Sequence, residues 1–402
     1  MKYTILVNEE HPLKESLKNR LELLPYHNFL LEKETLNHFK NLLIEYPTIE
    51  IIKAYEETNT SIYGIGTALL IKTNDDIKDL LKENGFIITN QTNNSLEIRY
   101  VGLIPAKIIT DNNISLEEYI NEYSCILAIN KPFGVTSFDV VNEISHLYGI
   151  SKVGHTGTLD PIARGVLLVT VGQATKIVEL LTANDKEYIA DVELGYETDT
   201  LDNTGTIIKR KEIPNNINLK ETLNSFKKTY LQEVPIYSAI KVDGKKLYEY
   251  ARNNKEVTLP KKEVTIKEIE LLKENNNTFT FKTLVTKGCY IRSLIRDIGL
   301  SLNTYATMTS LIRTKQGKVS IDNTNTLEEL QKGEAKSYSI EEVLDYPTII
   351  VDKDLEFKIK NGQKINNTWK ITNRCIFKNQ ENKLLGIYER DNLMLKVWKN
   401  FR

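Results

Sequence analysis

The chain has 402 residues, 41% of them hydrophobic and 27% charged, and its 53 Lys and Arg against 54 Asp and Glu leave a formal net charge of −1. That length accommodates roughly two or three domains with cores of their own, and that composition excludes a disordered or low-complexity chain. Cys125, Cys289 and Cys375 form no CxxC pair, which speaks against a disulfide framework or a cysteine-held zinc and fits a reducing cytosol.

The N-terminus turns acidic at Glu9 and Glu10, too soon for a secretion signal, and no apolar run approaches membrane-spanning length, so a cytoplasmic protein is expected. Asp111, Asn112 and Asn113 separate two regions of different character. Ser115 with Glu118 has the capping-box spacing, which predicts a short helix to about Tyr123. Ser137 can cap a helix with Phe138, Val141, Ile144 and Leu147 on one face, ended by Gly149. Residues 173–181 read as a second helix, 186–195 as a strand and 219–231 as a helix with Leu223 and Phe226 at core spacing. Residues 264–272 and 278–286 read as strands paired across an Asn-rich turn. Residues 324–344 read as a helix-forming bridge. After Pro347 short alternating stretches (348–351, 358–362 and 383–388) predict a small β-barrel or sheet. The expected fold class is α+β, around a large mixed, mainly antiparallel sheet with flanking helices and an active cleft across its middle. A small α+β N-terminal domain and a small β-rich C-terminal tail complete it. The expected division is 1–122, 123–320 and 321–402.

The most informative stretch is Gly154-His155-Thr156-Gly157-Thr158-Leu159-Asp160-Pro161. It places one carboxylate on a Gly-interrupted loop that opens onto the apolar run at 166–172. A loop carboxylate backed by a strand is aimed at whatever binds there. Taken alone, an Asp before Pro is a turn residue. Its company argues otherwise: residues 127–137 with Lys131-Pro132, Lys186-Glu187-Tyr188, residues 198–205, 235–241 and 244–252, Lys287-Gly288-Cys289-Tyr290-Ile291-Arg292, and Leu311-Ile312-Arg313-Thr314.

These segments resemble, in order, the motifs of the TruB family of tRNA pseudouridine synthases, from residue 127 to residue 314. The resemblance implies isomerisation of uridine to pseudouridine in the T loop of tRNA, without cofactor or metal, by a protein expected to be a monomer. It assigns Asp160 as the nucleophile. Whether Asp160 attacks the sugar carbon, attacks uracil C6 or drives glycal formation stays open. Arg292 is its expected ion-pair partner, keeping it ionised and aimed. Tyr188 is expected to stack on the target base near enough for proton transfer, and Tyr290 to wall the pocket. His155 is expected to position RNA where the flipped base leaves the stack. Lys131, Arg164, Lys176, Lys241 and Lys245 are expected RNA-binding cations. Lys152, Lys246, Arg252, Lys287, Arg296 and Arg313 also fall within or beside the motifs, interleaved with Tyr237, Tyr248 and Tyr250. The tail is expected to be a PUA-like RNA-binding module. A tRNA-folding chaperone without catalysis, or a synthase with a different RNA target, are the rival readings.

Residues 1–122 fall outside that resemblance. Segments 6–13, 61–71, 81–86, 98–102 and 116–119 resemble VanY-type D-alanyl-D-alanine carboxypeptidases. The positions matching that family's zinc ligands hold Tyr63, Leu70 and Glu97, and its catalytic Glu falls at Asn94. One carboxylate cannot make a three-ligand site. An inactive fold kept for packing or binding is therefore expected.

Overall fold

A computed structural model describes residue 38 and residues 50–53, 68–73, 76–92, 95–253 and 255–401. Ten strands form its main sheet: β1 (Ser124–Lys131), β2 (Val153–His155), β3 (Ala163–Gly172), β4 (Lys186–Leu194), β5 (Thr229–Glu233), β6 (Lys261–Asn275), β7 (Thr278–Val285), β8 (Ala306–Gln316), β9 (Val319–Ser320) and β10 (Ser337–Tyr338). The path runs β5-β6-β7-β4-β8-β3-β1-β10, with β2 added on β3 and β9 on β8. Only β8 and β3 pair in parallel. The remaining pairs are antiparallel, so the sheet is mixed and mainly antiparallel, as expected.

The apolar run at 166–172 lies in β3, where both faces are buried. Alternation splits its side chains between two cores. Leu127, Ile129, Leu167 and Val169 enter one cluster. Ile126, Ala128, Val166 and Leu168 enter another, shared with Ile376, Ile387 and Phe401 near the C-terminus. The C-terminal strands Thr348–Ile350, Arg374–Lys378, Leu384–Asp391, Met394–Asn400 and Ile365–Asn366 form a separate five-stranded sheet in that order.

The helices follow their caps. In α1 (Leu116–Glu122) the Ser115 hydroxyl accepts from the Glu118 N–H at 3.1 Å while Glu118 accepts from the Ser115 N–H at 2.7 Å, the capping box read from the sequence. In α2 (Ser137–Tyr148) the cap is Thr136, not Ser137, with Asp139 completing the box. The buried face accordingly runs through Val140, Ile144 and Tyr148, and Phe138 is 67% exposed. Gly149 ends that helix with φ 62°.

Four expectations change. Residues 173–183 begin as a 3-10 turn, Gln173–Ile177, before the helix Val178–Ala183. The helix expected to run to Leu231 stops at Ser225, because Thr229 and the residues after it pair with β6. The bridge is two short helices, Leu327–Gln331 and Ile340–Val343, with β10 between them. Gly333, at φ 70°, breaks it. In the tail, 358–362 is no strand: Asp352 caps the helix Lys353–Lys360 through the Leu355 N–H.

Upstream, the strands Glu50–Lys53, Ala68–Lys72, Leu96–Tyr100 and Phe86–Gln91 make a four-stranded antiparallel sheet in that order. It is followed by the helix Leu103–Asn112. Ile104, Ala106, Ile109 and Tyr119 belong to the same buried cluster as Leu127 and Val169, so the core runs through the expected boundary at residue 122. Tyr63 and Asn94 lie outside the described residues, as does the side chain of Leu70. Glu97 accepts from the Thr89 hydroxyl at 2.7 Å. Among the described residues no group of three His, Cys, Asp or Glu could hold a metal ion. No helix among them is long and apolar enough to cross a membrane.

Candidate active site

Asp160 stands on the loop from β2 to β3, and the loop is pinned from several sides. Ser137, freed from capping by Thr136, accepts from the Leu159 N–H at 2.9 Å and donates to the Leu159 carbonyl at 3.2 Å. The Pro161 carbonyl accepts from the Gly134 N–H at 2.8 Å. Sequence reasoning gave Ser137 only a capping role, although a buried hydroxyl at a helix start can face inward as readily as along the helix.

Arg292 enters on the first turn of α3 (Ile291–Ser301). Its Nε lies 2.9 Å from Asp160 Oδ2 and its Nη2 donates to Oδ1 at 3.0 Å, a two-bond fork. Nη1 also donates to the Thr200 carbonyl at 2.9 Å, and Nη2 to the Tyr237 carbonyl at 3.0 Å. One guanidinium thus ties together three motifs distant in sequence. Arg292 is buried, whereas 33% of the Asp160 side chain stays open to the cleft. Burial raises the Asp160 carboxyl above the ordinary carboxylate value, and Arg292 opposes it; Asp202 adds to the rise and Lys131 to the opposition. The pairing expected from the sequence is present, but burial outweighs its ionising pull.

The cleft above Asp160 encloses about 280 Å3 and is lined by Tyr188, Tyr290, Lys186, Lys287 and Leu311, among others. Such a space suits one small planar group rather than an intact helix. Tyr188 projects from β4, with its hydroxyl 3.5 Å from Arg313 Nη1. Tyr290 precedes α3, and burial raises its phenol. His155 does not line the cleft. Its Nδ1 accepts from the Gly157 N–H at 3.3 Å, and burial beside Arg313 holds its pKa below the usual histidine value.

The expected RNA cations divide. Lys241 and Lys245 are exposed on a two-strand hairpin turned by Asp243 and Gly244, whose φ values of 48° and 79° suit a tight turn. Arg164 is exposed on β3. Lys131 is buried and donates to the carbonyls of Pro132, at 2.9 Å, and Val135, at 2.5 Å; burial pushes its pKa down to about 8. Lys176 donates to the Asn400 carbonyl at 2.6 Å and lies over the Phe401 ring, so it holds the C-terminal part instead. Arg296 is bound to Glu233 and Asp297. Lys186, given no role from sequence, is buried at the cleft and pushed down to about 8, chiefly by burial. Its place before Glu187-Tyr188 was the available signal.

Residues 145–291 match the model of the TruB family pseudouridylate synthase N-terminal domain, and residues 292–347 that of the tRNA pseudouridylate synthase B C-terminal domain. No family model matches the N-terminal segment, so the carboxypeptidase resemblance finds no support there. The chain is 41% identical over 275 residues to a tRNA pseudouridine synthase B of Caldanaerobacter subterraneus subsp. tengcongensis, spanning 68% of this chain and 93% of that protein. It is 44% identical over 281 residues to a tRNA pseudouridine synthase B of Fusobacterium nucleatum subsp. nucleatum, spanning 67% and 93%. A solved H/ACA RNP bound to a substrate RNA containing 2'-deoxyuridine is similar in fold, with a TM-score of 0.53 at 20% identity over 72% of this chain and 88% of that one.

Proposed function

The chain belongs to the TruB family of tRNA pseudouridine synthases, and from that premise we propose that it isomerises a T-loop uridine of tRNA with Asp160 as nucleophile. The observation that carries this reading is the Asp160–Arg292 fork at the floor of a cleft walled by Tyr188 and Tyr290.

The reaction breaks the bond from uracil N1 to the sugar C1′, turns the base and joins C5 to that carbon. The C5 proton leaves and N1 gains one, so no oxidant, reductant or added group is needed. The target must be extruded, since a stacked nucleotide hides this bond. Asp160 supplies the electron pair, and the planar fork of Arg292 keeps one carboxylate oxygen aimed upward. Tyr188 stacks on the base and retains the freed uracil. Lys287, exposed at the cleft, supplies a positive charge that a phosphate backbone can meet, whereas buried Lys186 donates to the carbonyls of Thr182 and Asn184.

Lys241, Lys245 and Arg164 are assigned to the tRNA backbone, His155 to holding the loop the RNA meets. The C-terminal sheet is read as PUA-like, since Arg374 and Lys399 lie 4.5 and 4.6 Å from the Trp398 ring, a basic-aromatic surface of the kind RNA uses. A monomer working where tRNA matures is the corresponding expectation. The test is incubation of a T-arm stem-loop with the protein and mapping of pseudouridine at the loop uridine. Conversion at that position, lost in Asp160→Asn, is the result expected; binding without conversion would leave a folding chaperone.

A further inference from the structure

Beneath the active-site loop, β8 carries a bulge. Arg313 pairs with Tyr188 of β4 and Gln316 with Lys186, and the register slips between Arg313 and Lys315. Tyr188 and Lys186 are two apart on a regular strand, so they share a face. Arg313 and Gln316 are three apart and would ordinarily point oppositely; the extra residue brings both to that same face. Both side chains are buried.

From there they grip the loop. Arg313 Nη2 donates to the Gly157 carbonyl at 3.0 Å and Nε to the Val166 carbonyl at 2.6 Å. Gln316 Nε2 donates to the Thr156 hydroxyl at 2.6 Å, to the Thr156 backbone carbonyl at 3.3 Å and to the Leu181 carbonyl at 3.1 Å. The strands close tightly here: a Cβ on Gly165, at φ +102°, would lie 2.3 Å from the Arg313 carbonyl oxygen. Loop and strand therefore have little room to shift while these bonds stand.

We propose that Arg313 and Gln316, aligned by the bulge at Thr314, are positioning residues that set where Asp160 sits in the cleft by fixing the backbone of Thr156 and Gly157. Asp160 lies three residues beyond Gly157 in the same loop. Misplacement of a reacting group by about 1 Å can cost on the order of a hundredfold in rate. Arg313 acts inside the fold, not on a tRNA phosphate as its place in a basic motif implied. This inference rests on the assignment of Asp160 as the reacting group.

The full-length protein tests it through Arg313→Lys, which keeps the charge but loses the fork, and Gln316→Met, which keeps the volume but loses the bonds. The readouts are the single-turnover rate at saturating tRNA, tRNA affinity over a range of salt, and thermal melting. Folded Arg313→Lys is expected to slow about tenfold or more at saturation. Its tRNA affinity is expected to stay within about threefold, with an unchanged salt slope, because no phosphate contact is lost. Gln316→Met is expected to slow less, and the double variant to fall short of the product of the two effects, since both act on one loop. Wild-type rates in both folded variants would overturn the proposal. So would weaker binding by Arg313→Lys with a salt slope reduced by about one and an unaltered bound-state rate. Should Arg313→Lys fail to fold, Gln316→Met decides by the same criteria. Asp160→Asn run alongside separates the two assignments: its activity would sink the reading of Asp160 itself.

Discussion

Arg292 holds both carboxylate oxygens of Asp160, through Nε at 2.9 Å and Nη2 at 3.0 Å, while its other bonds reach the carbonyls of Thr200 and Tyr237. The guanidinium is thus both counter-ion and splint. Lysine can replace the charge but not the planar geometry. Arg292→Lys is expected to lower the bound-state rate by about a hundredfold, with tRNA affinity changed little. A lysine variant that turns over like wild type would reduce Arg292 to a general electrostatic contributor.

The pH profile should carry the mark of burial. The role proposed for Asp160 requires its ionised form, and burial raises its pKa against the pull of Arg292. Activity is therefore expected to fall as pH drops, with the acid limb of kcat/KM above the ordinary aspartate value of about 3.9. Arg292→Gln removes the opposing charge, so its residual activity should show that limb at still higher pH. A limb that stays put in the variant would mean another group governs it.

Residues before 123 do more than sit alongside the synthase. Tyr119 is buried, donates to the Tyr148 carbonyl at 2.6 Å and shares a core cluster with Ile104, Ile109 and Leu127. Tyr119→Ala is expected to cost on the order of 3–5 kcal/mol, the usual price of emptying a buried aromatic site. A chain beginning at Glu122 should melt well below the full-length protein yet still convert a T-arm stem-loop when folded, because every residue assigned to chemistry lies beyond it. An equally stable truncation would show that the shared cluster contributes little. A folded but inactive one would show that the N-terminal part builds the site.

Glu97 is hydrogen-bonded to Thr89, and the described residues offer no three-donor metal site. A zinc-selective chelator, added at constant magnesium so that tRNA stays folded, is expected to leave the initial rate unchanged. A rate that falls and is restored by zinc would contradict this.

The cleft lining was legible because Asp160, Tyr188 and Arg292 each stand in a short motif that the family resemblance singles out. Charged residues were harder to place. Lys131 and Arg313 read as surface cations because basic residues are rarely buried; the folded chain brings backbone carbonyls to them, those of Pro132 and Val135 to Lys131 and those of Gly157 and Val166 to Arg313. The helix expected at 219–231 failed for a related reason. Leu223 and Phe226 do face the core, but pairing with β6 takes Thr229 onward into a strand, overriding local periodicity. In the tail, Asp352 as a cap was a readable signal for the helix that replaced an expected strand.

The most direct test is Asp160→Asn, assayed for pseudouridine formation and tRNA binding on the same preparation. Amide for carboxylate removes the proposed nucleophile and preserves shape, while phosphate contacts elsewhere are expected to maintain affinity. The expected result is turnover below about 1% of wild type with affinity within a few-fold. Turnover above that level in the folded variant would contradict the assignment of Asp160 as the nucleophile.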